Sequence, residues 1–219
     1  MVLSTNFEKF GLQPIRYEDG KGFFGNGMLV TDGYQWKKSR ALIRPTFDIA
    51  HIANLGRLRS HALLAAELGK NFMDAFQAAL RDVIIPAAQR SEEHYKGCQE
   101  VHGYIDARID EALSRISQMD DECVDDRKQV RIIDELVKSS ENKLTLRYLI
   151  LSIFMPAHDN VAVALSDAFF HLARNPDCWK KLRAEIPSKS SQPFTYEQLR
   201  SFTYLNWVLR ESQCNAQHA

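Results

Sequence analysis

Residues 143–174 read KLTLRYLILSIFMPAHDNVAVALSDAFFHLAR, and the fold class turns on this stretch. Leu146, Leu149, Ile150, Ile153 and Phe154, then Val161, Leu165, Ala168, Phe169 and Leu172, recur at spacings of three and four, which is the period of an α-helix. One helix over these residues would run about 48 Å at roughly 1.5 Å per residue. That exceeds the width of a small domain, so the helix is expected to cross a larger all-α body, with other helices packed on most of its sides.

Pro156 interrupts the pattern. It has no N–H for the carbonyl of Ser152 and its ring crowds that carbonyl, so a kink or opening is expected there. His158, Asp159 and Asn160 follow at once. Two readings stand side by side: a kink with a solvated polar notch, or an opened helix whose polar groups hold water or a small ligand inside the core.

Working outward, Asn175 and Pro176 mark a new helix, with Asn as cap and Pro at the first helical position. It ends before Pro187. Thr195 and Gln198 form a capping box for a short helix to Phe202, and TYLNWVLRESQ begins a last helix at Thr203. Upstream, Ile132 to Lys138 is a short amphipathic helix. A longer one is predicted from about Ala88 to Met119, with Val101, Ile105, Ile109, Ala112 and Ile116 as one buried stripe. The acidic run between them (Asp120, Asp121, Glu122, Asp125, Asp126) lacks metal-site spacing. Earlier still, helices are predicted over Asp48–Leu68, with Gly69 as its stop, and from Asn71 as cap through Ile85. Asp32, with Gln35 completing a capping box, opens a helix over Gly33–Ile43 that Pro45 stops. Residues 1–30, punctuated by Gly20, Gly22, Gly25 and Gly27, read as turns and loop.

The 219 residues are 45% hydrophobic and 26% charged, enough for one sizeable core. Lys and Arg number 28 and Asp and Glu 28, so no bulk charge draws the chain to nucleic acid. Cys98, Cys123, Cys178 and Cys214 have no metal-ligand or disulfide-framework spacing and read as reduced thiols facing cytosol. No resident metal site is predicted. No run of 18 uninterrupted apolar residues and no signal peptide are present, so the chain as written is expected in the cytoplasm.

Trp36 and Arg40 stand four apart on one helix face. Alone, the pair is either a core Trp beside a solvated Arg or an anion-binding pair. Its setting, GNGMLVTDGYQWKKSRALIRPTF, and the run Pro156-Ala157-His158-Asp159-Asn160-Val161 followed by LSDAFFHLARNPDCWKKLRAEI, resemble two segments of the cytochrome P450 monooxygenases, most nearly fungal microsomal members that hydroxylate alkanes and fatty acids. TYLNWVLRES resembles a third, the family helix bearing a Glu-x-x-Arg pair.

The resemblance implies a haem cofactor whose propionate meets Trp36, Arg40 and, as a third donor, Lys38. Ala157 takes the family's close-approach Gly, Asp159 its acid and Asn160 its Thr. In the family that acid and hydroxyl pass protons to dioxygen; an amide at 160 holds water but relays protons poorly. Glu211 takes the structural Glu place, with Cys214 where the family has Arg. No cysteine stands in a Phe-x-x-Gly-x-Arg-x-Cys-x-Gly loop, the source of the axial thiolate. Residues 1–213 are therefore expected to be a partial P450 domain lacking the N-terminal anchor and sheet region, part of the middle and the haem-cysteine region, with 214–219 an unrelated tail.

By resemblance, the function is oxygen insertion into an apolar small molecule, with electrons from NADPH through a cytochrome reductase. Complete members are expected at the endoplasmic reticulum membrane. The chain as written is expected to be inactive. The alternative is a non-catalytic helical remnant or interaction module.

Overall fold

The computed structural model describes residues 11, 14–47, 69, 71–119, 132–139, 142–186 and 194–216. Among these there is no strand: α1 is Pro14–Phe24, α2 Gly33–Ile43 with a 3-10 turn at Arg44–Phe47, and α3 spans 71–81. A second 3-10 turn, Ala87–Gln89, precedes α4 (Glu92–Met119); then come α5 (Ile132–Ser139), α6 (Lys143–Arg174), α7 (Pro176–Glu185), α8 (Tyr196–Ser201) and α9 (Thr203–Ala216). The all-α expectation and the bounds of the central helix are both met. The described residues divide into two compact units, those up to Ile153 and those from Phe154 on, so α6 contributes to both.

In the first unit the stripe of α4 is its inner face. Val101, Ile105, Ile109 and Ala112 are buried, and Ile116 is half-buried. The ring of Phe23, fully buried, lies 5.9 Å from Phe76 and stacks on His102 at 5.6 Å. α3 and α4 approach closely because Gly97 has no side chain; a Cβ there would come within 2.5 Å of the Ala75 carbonyl. Leu146, Leu149 and Leu151 bury the first half of α6. Two ion pairs one turn apart tie that half to α4: Lys143 to Asp110 at 2.7 Å and Arg147, through both Nε and Nη2, to Asp106.

Five expectations for this unit are corrected. Residues 14–24 form a helix, not loop. Gly20 and Gly22 lower its intrinsic propensity, but Pro14 suits a first turn, and the buried Phe23 and Phe24 anchor its end. α4 begins at Glu92, not Ala88, because Ser91 caps it, its hydroxyl accepting from His94 N–H at 3.2 Å. Ser91 is itself held by Asp82, whose carboxylate accepts from the Ser91 hydroxyl at 2.5 Å and N–H at 3.0 Å; those bonds keep its carboxyl below the usual carboxylate range. α3 accordingly ends at 81, before the turn that carries Asp82, and not at Ile85; Gly69, read as a stop, is helical. Asp32 sits at the N-cap of α2 with extended backbone, yet its side chain makes no cap bond, so no capping box closes there. The predicted Asp48–Leu68 helix and the acidic run at 120–126 lie outside the described residues.

In the second unit, Ala168 and Leu172 of α6 and Leu182 of α7 are buried, with Phe169 and Trp179 rings 6.2 Å apart. Pro176 opens α7 as expected, but Asn175 caps backward: its amide donates to the His171 carbonyl at 2.9 Å, at the end of α6. The Thr195–Gln198 capping box is present. α9 is capped from a distance, since the Glu185 carboxylate accepts from Tyr204 N–H at 2.8 Å and Leu205 N–H at 2.9 Å. α9 also continues through Cys214 to Ala216, further than its apolar periodicity reached.

α6 is helical straight through Pro156, so the expected opening does not break it. Nor is it covered on most sides: Val161, Val163, Leu165, Phe169 and Phe170 are 50–58% exposed. By length and composition alone it is also long and apolar enough to cross a membrane.

Candidate functional site

α2 rests on α5, with Ser39 and Ile43 buried. Trp36, one heptad before Ile43, lies at the border of that buried face and is half-buried, and Arg40 is exposed beside it. The Arg40 guanidinium carbon lies 5.1 Å from the centre of the Trp36 ring. A cation on an indole face is held without losing its hydrogen-bond fork, so the Arg40 guanidinium can still donate to a carboxylate or phosphate. Lys38 is exposed and two residues from Trp36, which places it round the helix from the pair.

On α6, Ala157 and Asn160 are exposed and His158 and Asp159 half-buried. His158 Nδ1 lies 2.7 Å from Asp159 Oδ1, and the Phe154 ring stacks on the imidazole at 6.1 Å. The imidazole thus fixes the orientation of the very carboxylate that the sequence reading singled out. A His directly before an Asp is the local sequence signal for this contact. Trp36 and Arg40 belong to one unit and residues 157–160 to the other.

A second feature escaped the sequence reading. The glycines before α2 are packing devices as well as turn residues. A Cβ on Gly25, whose φ is +50°, would fall 2.1 Å from the Tyr148 ring of α6, and one on Gly27 would fall 2.6 Å from Ser152 Oγ. Met28 N–H donates to Ser152 Oγ at 3.0 Å, and the Ser152 hydroxyl donates to the Tyr148 carbonyl at 2.7 Å.

Glu211 is exposed on α9, as is Cys214 one turn on. Cys98 is buried, and burial pushes its thiol up to about 11, the opposite of what a thiolate ligand needs. Among the described residues no three His, Cys, Asp or Glu side chains cluster as a metal site.

A profile of the family described as Cytochrome P450 matches residues 65–214. Among curated relatives, cytochrome P450 monooxygenase FPY7 of Fusarium mangiferae is 28% identical, covering 96% of this chain and 50% of its own length. Cytochrome P450 monooxygenase iliC of Neonectria sp. (strain DH2) is 26% identical over 96% of this chain and 52% of its own. Cytochrome P450 52-E3 of Starmerella bombicola is 25% identical over 96% and 51%. The chain spans about half the length of the curated relatives it matches.

Proposed function

Because the chain belongs to the cytochrome P450 family, we propose that it carries the propionate edge and the distal helix of a haem site for oxygen insertion into an apolar molecule such as an alkane or fatty acid. The observation that supports this most directly is the Arg40 guanidinium lying on the Trp36 ring, 5.1 Å from its centre. Its donor set fits haem's carboxylate edge: an indole N–H and a guanidinium fork one turn apart on an accessible helix face. Haem, when bound, supplies the activation of dioxygen. In this reading Trp36 and Arg40 bind and orient, Lys38 adds charge, Ala157 leaves room beside the helix, and Asp159, oriented by His158, is the acid of the proton path. Asn160 holds water in place of a hydroxyl relay. Electrons come from NADPH through a reductase, at the endoplasmic reticulum membrane for complete members.

The thiolate is a separate matter. Cys98 is held as a thiol, and none of the four cysteines stands in the family's thiolate loop. We therefore expect the 219-residue polypeptide by itself to bind haem without inserting oxygen. A second reading, a non-catalytic helical module, is favoured by the exposed apolar flank of α6 at Val161, Leu165 and Phe169.

The test is a haem titration followed at the Soret band. Binding that Arg40→Ala weakens on the order of tenfold, the loss of one charge-assisted pair, supports the proposal; no saturable binding by the unaltered chain refutes it in favour of the second reading. For inactivity, the reduced carbonyl complex is expected to lack the red-shifted thiolate band. That band, with NADPH-dependent fatty-acid hydroxylation in the presence of a reductase, would restore an active enzyme.

A further inference from the structure

The loop before α2 is fastened to α6 at one side chain. Ser152, 1% exposed, lies four residues before Pro156. Its hydroxyl donates to the Tyr148 carbonyl at 2.7 Å, and its remaining acceptor capacity takes the Met28 N–H at 3.0 Å. Both partners are placed by absent side chains. Gly25 admits the Tyr148 ring and Gly27 admits Ser152 Oγ, the Phe24 carbonyl and the Tyr148 carbonyl, all within 3.0 Å of where a Cβ would sit. From Gly27 the connection runs on through its carbonyl, which accepts from the Thr31 hydroxyl at 2.9 Å, to α2 two residues later.

We infer that Ser152 is a positioning residue for the haem site: it sets the place of the loop over residues 25–31, and so of the α2 start that presents Trp36 and Arg40, against α6. This rests on the function proposed above. The argument is one of stiffness. Met28 N–H is a backbone donor in a part-buried setting, and such a donor needs a partner. Here that partner is a side chain locked by its own bond one turn back. A hydroxyl bonded to the i−4 carbonyl is itself a device that bends a helix locally, and it lies one turn before the proline. One hydroxyl thus joins the segment leading to the propionate donors to the first half of α6.

The experiment combines amide hydrogen exchange with haem titration on the full chain, with Trp179 and Trp207 replaced by Phe so that Trp36 emission reports haem arrival. The Met28 amide is expected to be protected in the unaltered protein. In Ser152→Ala it should exchange roughly tenfold faster or more, as for a donor that has lost its partner. The amides of Ile105 and Ile109 should keep their protection. With far-UV circular dichroism unchanged, Ser152→Ala should also need several-fold more haem to quench Trp36. An unprotected Met28 amide in the unaltered chain overturns the inference without recourse to any variant. Faster Met28 exchange with an unchanged haem titration overturns the positioning role and leaves Ser152 a purely structural clasp. If the unaltered chain takes no haem, the proposed function fails and the positioning role falls with it, while the exchange data still decide whether the clasp exists.

Discussion

Gly25 and Gly33 permit a paired experiment, since both have left-handed backbone, at φ +50° and +60°, but opposite surroundings. A Cβ at Gly33 meets nothing within 4 Å, so Gly33→Ala adds backbone strain alone, about 1–2 kcal/mol. A Cβ at Gly25 would lie 2.1 Å from Tyr148 Cε2 and 2.2 Å from Cζ, inside the ring's own atoms. Gly25→Ala therefore adds to the same strain an overpacking cost of about 1–3 kcal/mol as the ring and the loop move apart. Tyr148 is half-buried and has a second aromatic neighbour, His102 at 6.1 Å, so the displacement is not free. The assay is urea unfolding followed by Trp36 fluorescence in a chain with Trp179→Phe and Trp207→Phe. That leaves a single reporter, located in the first unit. Adding Tyr148→Ala closes a double-mutant cycle: it should recover the overpacking part of the Gly25→Ala loss and nothing of the Gly33→Ala loss. Equal losses at the two glycines, or a cycle with no coupling between Gly25 and Tyr148, would refute the close-packed loop.

Stability of the first unit should fall on both sides of neutrality. Burial lowers the pKa of His94 and His102, so the unfolded chain takes up protons before the folded one; stability is full above about pH 6.5 and declines as pH drops below it. Cys98, pushed up to about 11, acts in the alkaline direction: the unfolded thiol ionises first, and stability declines from about pH 9 upward. Urea midpoints across pH check both limbs, and a flat profile would contradict them. Glu185→Ala, which strips the Tyr204 and Leu205 amides of their acceptor, should cost the second unit about 1–2 kcal/mol. With Trp36 and Trp207 replaced by Phe, Trp179 fluorescence reads that loss.

What was legible beforehand was whatever repeats locally. The spacing of Leu146 through Leu172 is a property of neighbours on one helix, and the central helix came out with the bounds the spacing implied. The same holds for the stripe on α4 and for the Thr195–Gln198 box, where donor and acceptor sit three residues apart. The pairing of Trp36 with Arg40 was equally local.

What the tertiary structure decided were bonds between residues far apart in the chain, for which no window of sequence carries a signal. Ser91 begins α4 because Asp82, nine residues earlier, holds it there, so the helix starts four residues later than periodicity suggested. Residues 14–24 are helical against the propensity of their glycines, because Phe23 finds Phe76 and His102. Glu185, nineteen residues before Tyr204, took over the start of α9. The Gly25–Gly27 loop read as a turn, and only the packing of Tyr148 and Ser152 against it shows why a side chain is excluded at both positions. In each case a backbone donor or an apolar ring gains more from a distant partner than local propensity costs. Sequence alone places the helices; the contacts between them determine where those helices begin and which residues of the candidate site are held in place.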